Sequence, residues 1–168
     1  QISSNGTDWT NISGATAATY NLASDQSQVG QFVRVVVTTT DALGGTTAFT
    51  SDSSVAIANV NDAPTVANAI ADQNATQDSA YSFQFASNSF ADVDGDSLTY
   101  SAQLTGGGAL PAWLSFDAAT RTFSGTPANG DVGTVNVTVT ADDGNGGTVS
   151  DSFAIVVANV EDEATGTL

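Results

Sequence analysis

The chain has 168 residues, 40 % of them apolar, which is enough for one large domain or two of roughly 80–100 residues each. The sequence contains eighteen acidic residues and only two basic ones, both arginines. The resulting net charge of −16 argues against nucleic-acid binding and against docking on anionic lipid. It lacks cysteine, histidine and methionine, so disulfides, thiolate or imidazole metal ligands and Cys- or His-based catalysis are excluded. No apolar run is long enough to span a membrane, and the first residues do not resemble a signal peptide.

Alternating apolar residues, typical of β-strands, recur along the whole chain, whereas no apolar stripe has helical spacing. The first clear run covers residues 32–38. The later runs are Tyr81, Phe83 and Phe85; Leu98, Tyr100, Ala102 and Leu104; Val135, Val137, Val139 and Ala141; and Phe153, Ile155 and Val157. The last two runs flank the turn sequence "DDGNGGT", which predicts a hairpin. Strands with turn signals at this spacing predict an all-β sandwich.

Two internal echoes predict tandem domains. The linker-like stretch "ANVNDAPTV" around Pro64 has a near copy, "ANVEDEAT", at residues 158–165, and "VVVTTTDALGGTT" (35–47) resembles "VTVTADDGNGGTV" (137–149), about 102 residues later. We therefore expect a first sandwich over residues 1–60 and a second over 61–160, with 161–168 starting the next linker or strand. The first is expected to lack its opening strands, which are either truncated or donated by another chain.

Three aspartates at alternate positions form the motif "DVDGD": Asp92, Asp94 and Asp96. A solvated turn is one interpretation, since Asp-Gly favours chain reversal. An EF-hand is excluded, because Ser97 stands where that loop needs glycine and Gln103 where it needs glutamate. The third interpretation is a Ca²⁺ site completed by residues from elsewhere, because calcium takes six to eight oxygen ligands.

The completing ligands are predicted from two other segments. Asn61 and Asp62 lie where the first strand of the second domain begins, and Asp143 follows the strand around Val137. If the strands run the length of the sandwich, all three acidic segments meet at one pole. A bound cation there would fasten the linker to the domain.

The blocks "LPAWLSFDAATRTFSGTP" and "GDVGTVNVTVTADDGNGGTVSDSFAIVVANVED" resemble the dystroglycan-type cadherin-like (CADG) repeats of bacterial surface adhesins, over about residues 61–162. Residues 1–62 resemble part of a bacterial immunoglobulin-like repeat. The resemblance implies tandem Ig-like/cadherin-like β-sandwiches in an extracellular, cell-surface protein or filament that is rigidified by Ca²⁺. Its partners would be neighbouring repeats or identical subunits.

The resemblance also implies a ligand set. The cadherin linker pattern matches Asn59, Asn61 and Asp62, and the family's other acidic motifs match Asp92, Asp94 and Asp143. Glu161 and Asp162 would begin the site of a following domain.

A rival interpretation is a module that binds a carbohydrate or another cell-surface ligand through an aromatic platform including Trp9. Trp113 is predicted instead to anchor the core. The clustered carboxylates all lie at turns beside linker-like sequence, so we predict no catalytic residues and no enzymatic activity. A variant of the structural interpretation has the tail "EATGTL" (163–168) completing the first sandwich of another copy.

Overall fold

The computed structural model describes residues 1–161, so Asp162 and the tail 163–168 lie outside the described residues. It divides into two compact units, Gln1–Val60 (unit 1) and Asn61–Leu168 (unit 2). Strands are the main regular secondary structure of both, and the helical structure among residues 1–161 is one 3-10 turn, Asn129–Asp131. The prediction of an all-β fold is confirmed. The described part of the chain contains no helix with the length and apolarity that crossing a lipid bilayer would require.

Unit 1 is built from two small antiparallel pairs. β1 (Ile2–Ser3) pairs with β2 (Phe32–Val33), and β3 (Val36–Thr40) forms a hairpin with β4 (Thr46–Thr50). β-branched residues fill β3, which favours an extended backbone. All ten residues of this hairpin are exposed.

Unit 2 is a sandwich of two sheets with a small accessory pair. Its strands are β5 (Thr65–Val66), β6 (Gln73–Thr76), β7 (Tyr81–Gln84), β8 (Phe90–Ala91), β9 (Thr99–Leu104), β10 (Leu114–Asp117), β11 (Thr122–Gly125), β12 (Gly133–Asp142) and β13 (Thr148–Ala158). One sheet has the order β10-β11-β7 and the other β6-β13-β12-β9, while β5 pairs with β8. The pairings are antiparallel except for β6 with β13, which run parallel.

The core of unit 2 lies between its two sheets. Alternate residues of β12, Val137 and Val139, are fully buried, and their neighbours on the other face are not. They meet an aromatic layer in which Phe123 packs 4.5 Å from Phe116 and 5.5 Å from Phe153, centroid to centroid. The period-2 alternation of the sequence thus becomes the two faces of each strand.

The β3–β4 and β12–β13 hairpins share their register, 102 residues apart. Val36 pairs with Thr50, and Thr138 pairs with Ser152. The turns match as well. The carboxylates of Asp41 and Asp143, 102 residues apart, each accept the backbone N–H groups two and four residues later, at 2.8 Å in both cases for Asp41 and at 2.7 and 2.9 Å for Asp143. The repeat seen in the sequence is therefore a repeated supersecondary unit.

Candidate metal centre

The loop between β8 and β9 folds around the carboxylate of Asp92. Its Oδ1 accepts the backbone N–H of Asp94 at 2.8 Å and that of Asp96 at 3.2 Å. Gly95 has a φ of +78°, a conformation that suits glycine and lets the chain turn back on itself. This compact turn brings the carboxylates of Asp92 and Asp96 close together instead of spreading them along a strand.

The segment before β5 is tied to that turn and to the β12–β13 turn. The backbone N–H of Asp62 donates to Asp94 Oδ2 at 2.7 Å, and Asn61 Nδ2 donates to Asp143 Oδ2 at 2.9 Å. Three stretches separated by up to 82 positions therefore meet at one pole of unit 2.

The carboxylates of Asp92, Asp96 and Asp143 each offer one oxygen, and these oxygens lie within 4.8 Å of one another. Two carboxylate oxygens of the acidic turn, Asp92 Oδ2 and Asp94 Oδ1, are buried and have no hydrogen-bond partner. A buried, unpaired anionic oxygen is costly unless a cation or a donor compensates it. A bound cation would compensate these unpaired oxygens and stabilise the arrangement.

Asp143 is the buried member of the cluster, with 5 % of its surface exposed. The hydrogen bond from Asn61 lowers the pKa of this carboxyl, burial opposes that effect, and the backbone N–H groups of Asn145, Gly147 and Gly146 lower it further. The carboxyl therefore stays ionised at pH values below the usual pKa range of aspartate. A buried carboxylate that keeps its negative charge to a lower pH than an ordinary aspartate is a suitable ligand for a hard cation.

The cluster fits Ca²⁺ by donor chemistry and spacing. Calcium prefers carboxylate, amide and carbonyl oxygens at about 2.3–2.6 Å, so ligand atoms on opposite sides of one ion are separated by about 4.8 Å. The aspartates of the cluster offer carboxylate oxygens, and the cluster contains no thiolate or imidazole ligand. This composition matches the preference of Ca²⁺ for oxygen ligands. Asp92, Asp96 and Asp143 would hold the ion. The ligand role of Asp94 stays a prediction, and Asn61 and Asp62 are bonded to Asp143 and Asp94.

The other predicted ligands stand elsewhere. Asn59 belongs to unit 1 and is exposed. Glu161 is exposed beyond the end of β13, whereas the start of β13 adjoins the Asp143 turn. Because β13 has eleven residues, Glu161 lies at the opposite pole of unit 2, roughly 35 Å away at the usual rise per residue. Asp162 lies outside the described residues. The ligand roles of these three residues stay predictions.

Asn145 and Gly147 also shape the cluster, and the sequence reasoning missed both. Asn145 Nδ2 donates to Asp96 Oδ2 at 2.9 Å, so this amide links the two acidic turns. A Cβ on Gly147 would lie 2.2 Å from Asp143 Oδ2 and 2.7 Å from Ala63 Cα, so only glycine fits there. The "DGNGG" turn was visible in the sequence, but the direction of the Asn145 side chain was not.

The two tryptophans have different surroundings. The guanidinium of Arg34 lies 4.3 Å from the ring centroid of Trp9 and covers one face of that ring. Trp113 packs against the core of unit 2, edge-to-face with Tyr81 at 6.1 Å. The prediction that Trp113 anchors the core agrees with this packing.

The chain is similar to several solved structures at low sequence identity. An endo-fucoidan hydrolase variant from glycoside hydrolase family 107 has a TM-score of 0.50 and 18 % identity over 77 % of this chain and 24 % of its own. Drosophila N-cadherin EC1-3 has a TM-score of 0.43 and 16 % identity over 68 % of this chain and 41 % of its own. The human desmocollin-1 ectodomain has a TM-score of 0.39 and 16 % identity over 74 % of this chain and 23 % of its own. The chain thus spans about a quarter of the hydrolase, and that likeness concerns the fold alone.

No curated protein matches the chain. The He_PIG family model, described as "Putative Ig domain", matches residues 63–158, which is more than half of the sequence and nearly all of unit 2. The chain belongs to this family of Ig domains.

Proposed function

We propose that this chain is a non-enzymatic structural repeat of an extracellular bacterial adhesin or surface filament, of the dystroglycan-type cadherin-like kind. In this proposal Ca²⁺ binds the aspartate cluster of unit 2 and fixes the linker residues 61 and 62 to the domain. The ion would remove rotational freedom from the linker and screen part of the −16 charge.

The meeting of the linker with two acidic turns is the observation that carries the proposal. Oxygens of three carboxylates lie within 4.8 Å of one another, and two carboxylate oxygens of the Asp92 turn are buried without a partner. Asn61 and Asp62 both donate hydrogen bonds to members of this group. A cation that binds the group would strengthen the attachment of the segment leading into unit 2.

The non-enzymatic part of the proposal rests on how the carboxylates are held. Asp92 and Asp143 accept hydrogen bonds from the backbone of their own turns, so these side chains shape the loops that carry them. Oxygens of three carboxylates converge within 4.8 Å of one another, an arrangement that suits the ligands of one ion. Family membership in Ig domains and the absence of cysteine and histidine nucleophiles agree with a structural role.

Thermal unfolding of the full chain tests the calcium part. We expect a clearly higher melting temperature in millimolar CaCl₂ than in EDTA, restored when calcium is returned in excess, because a ligand that binds only the folded state stabilises it. MgCl₂ at the same concentration is the matched control and should act more weakly, since Mg²⁺ demands a strict octahedral geometry. Equal melting temperatures in EDTA and calcium would end the calcium proposal.

Self-assembly by strand donation is a finer part of the proposal. The exposed β3–β4 hairpin of unit 1 supports it, since a two-stranded sheet is only marginally stable alone. The sequence assigns the donated strand to residues 163–168, which lie outside the described residues. Deleting them and measuring the oligomeric state from the molar mass tests that assignment. The same oligomeric state with and without these residues would reject it.

A further inference from the structure

The sequence contains three Asn-Gly pairs, and the structure gives them different surroundings. They are Asn5-Gly6, Asn129-Gly130 and Asn145-Gly146. In such a pair the backbone nitrogen of glycine can attack the side-chain amide of the preceding asparagine, because glycine has no side chain that would obstruct the approach. All three asparagines are exposed, so exposure does not distinguish them. The hydrogen bonds around the attacking nitrogen and the amide do.

The first pair is held by hydrogen bonds at both reacting groups. The N–H of Gly6 donates to Ser3 Oγ at 2.9 Å. Asn5 Nδ2 donates to Asp8 Oδ2 at 2.7 Å, and Asn5 Oδ1 accepts the backbone N–H of Asp8 at 2.8 Å. These bonds must break before the nitrogen of Gly6 can reach the amide carbon.

The third pair is held in the same way by the acidic turns of unit 2. The N–H of Gly146 donates to the carboxylate of Asp143. Asn145 Nδ2 donates to Asp96 Oδ2 at 2.9 Å. Attack by the nitrogen of Gly146 on the Asn145 amide would therefore require two contacts of the aspartate pole to open.

The second pair lacks this protection. Asn129 and Gly130 lie in the 3-10 turn between β11 and β12, none of whose residues is buried. Among residues 1–161, neither the N–H of Gly130 nor the side-chain amide of Asn129 has a hydrogen-bond partner. The residue before the turn, Ala128, has no side-chain oxygen that could accept that N–H. A Cβ built on Gly130 would meet nothing within 4 Å, so the approach to the amide is open.

We propose that Asn129-Gly130 is the site at which this chain deamidates spontaneously. The nitrogen of Gly130 bonds to Cγ of Asn129, the Cγ–Nδ2 bond breaks, and ammonia leaves with the proton of the Gly130 N–H. Water then opens the resulting succinimide ring and returns a proton to the nitrogen. Opening at the side-chain carbonyl gives aspartate, and opening at the main-chain carbonyl gives isoaspartate. The reaction consumes water, releases ammonia and needs no oxidant or reductant.

The products change the turn in two ways. Each adds a negative charge close to Asp131, whose carboxylate accepts the backbone N–H of Ala128 at 2.8 Å. Isoaspartate also makes the main chain one methylene longer just before β12, which begins at Gly133. Because ammonia is lost, the modified fraction rises with the age of the protein. This inference depends neither on calcium binding nor on the proposed function.

The test is peptide mapping by mass spectrometry of the full chain after incubation in mildly alkaline buffer, once folded and once unfolded in urea. In the folded chain we expect Asn129 to deamidate at least about fivefold faster than Asn5 and Asn145, since breaking one hydrogen bond of ordinary net strength slows a reaction roughly 2- to 10-fold. In urea the three rates should converge. Equal rates in the folded chain would overturn the inference. So would the same preference for Asn129 in urea, because the preference would then come from the local sequence alone.

Ala128→Ser tests the role of the free N–H. Ala128 has a φ of −93° and a ψ of 177°, the extended conformation of a capping residue, so a serine hydroxyl there can accept the N–H of Gly130. The substitution should slow deamidation of Asn129 about 2- to 10-fold and leave the rate at Asn145 unchanged. Ala118→Ser is the matched control, because Ala118 is exposed in the turn between β10 and β11, and it should change neither rate. An unchanged rate at Asn129 in Ala128→Ser, or equal slowing by the control, would contradict the inference.

Discussion

Asp92→Asn separates the stability of the acidic turn from its affinity for calcium. The Oδ1 atom of Asp92 organises the loop by accepting two backbone N–H groups, and the amide oxygen of asparagine can do the same. The other oxygen, Oδ2, is buried and unpartnered, and the substitution replaces it with an NH₂ group. The change therefore keeps the turn and removes a metal ligand together with one negative charge.

The expected magnitude follows from mass action. Extracellular calcium modules have dissociation constants of about 10⁻⁴–10⁻³ M, so about 10 mM calcium is a ten- to hundredfold excess. Binding at that excess adds about 1.4–2.7 kcal/mol to the free energy of unfolding. For a domain of this size, that is a rise in melting temperature of roughly 6–20 °C. In EDTA the variant should be as stable as the unsubstituted chain or more so, because repulsion with Asp96 and Asp143 is relieved.

Thermal unfolding of both chains, each in EDTA and in calcium, gives the four melting temperatures that the comparison requires. The calcium-dependent rise should be large for the unsubstituted chain and near zero for Asp92→Asn. Titration calorimetry on the same samples should show the corresponding loss of binding heat. A variant that loses stability equally in EDTA and in calcium would refute the reasoning, because Asp92 would then act only as a turn former.

Three other substitutions probe the pole and the core of unit 2. Gly147→Ala should lower the free energy of unfolding by about 1–3 kcal/mol in chemical denaturation, since its Cβ would overlap Asp143, whereas Gly130→Ala, which meets nothing within 4 Å, should be near neutral; equal effects would contradict the packing. Asn61→Ala should flatten the acid dependence of stability in EDTA. The pKa of Asp143 is lowered in the folded state, so this carboxyl stabilises the fold above its unfolded pKa and that stability is lost as the pH falls through the folded pKa. An unchanged profile from about pH 5 down to about pH 2 would show that Asn61 is not the cause. Phe123→Ala should cost about 3–5 kcal/mol, because the ring is fully buried between two aromatic neighbours, and a loss below about 1 kcal/mol would contradict that environment.

The fold could be predicted from the sequence because burial in a sandwich follows a period of two. The runs ending in Ala141 and Val157 alternate without interruption, and the structure turns them into the longest strands of unit 2, with one face in the core. The short pair β5–β8 had no comparable signal, since strands of two residues carry too little pattern. The parallel placement of β6 against β13 was equally hidden, because it depends on contacts far apart in sequence.

Part of the candidate site could also be predicted from the sequence, but for a different reason. Turn chemistry in "DVDGD" and "DDGNGG" is local, and the expectation that both turns meet the "NVND" segment required only strands that run the length of the domain. The partner of each carboxylate was not readable: that Asn145 serves Asp96 and Asn61 serves Asp143 depends on side-chain directions set by the packed fold. Ligand roles for residues outside this pole came from a linker pattern, which carries no information on three-dimensional distance.

The parallel pairing of β6 with β13 also determines how unit 2 resists a pulling force. β6 follows the segment that enters at the aspartate pole, and β13 leads to the exit at the opposite pole. Tension applied at the two ends therefore slides these strands past each other along their axes. The pairs from Gln73 with Ile155 to Thr76 with Ala158 then bear the load together in shear, instead of opening one after another like a zipper. An element that must transmit tension along a chain of repeats benefits from this geometry, because rupture requires several hydrogen bonds to break at once.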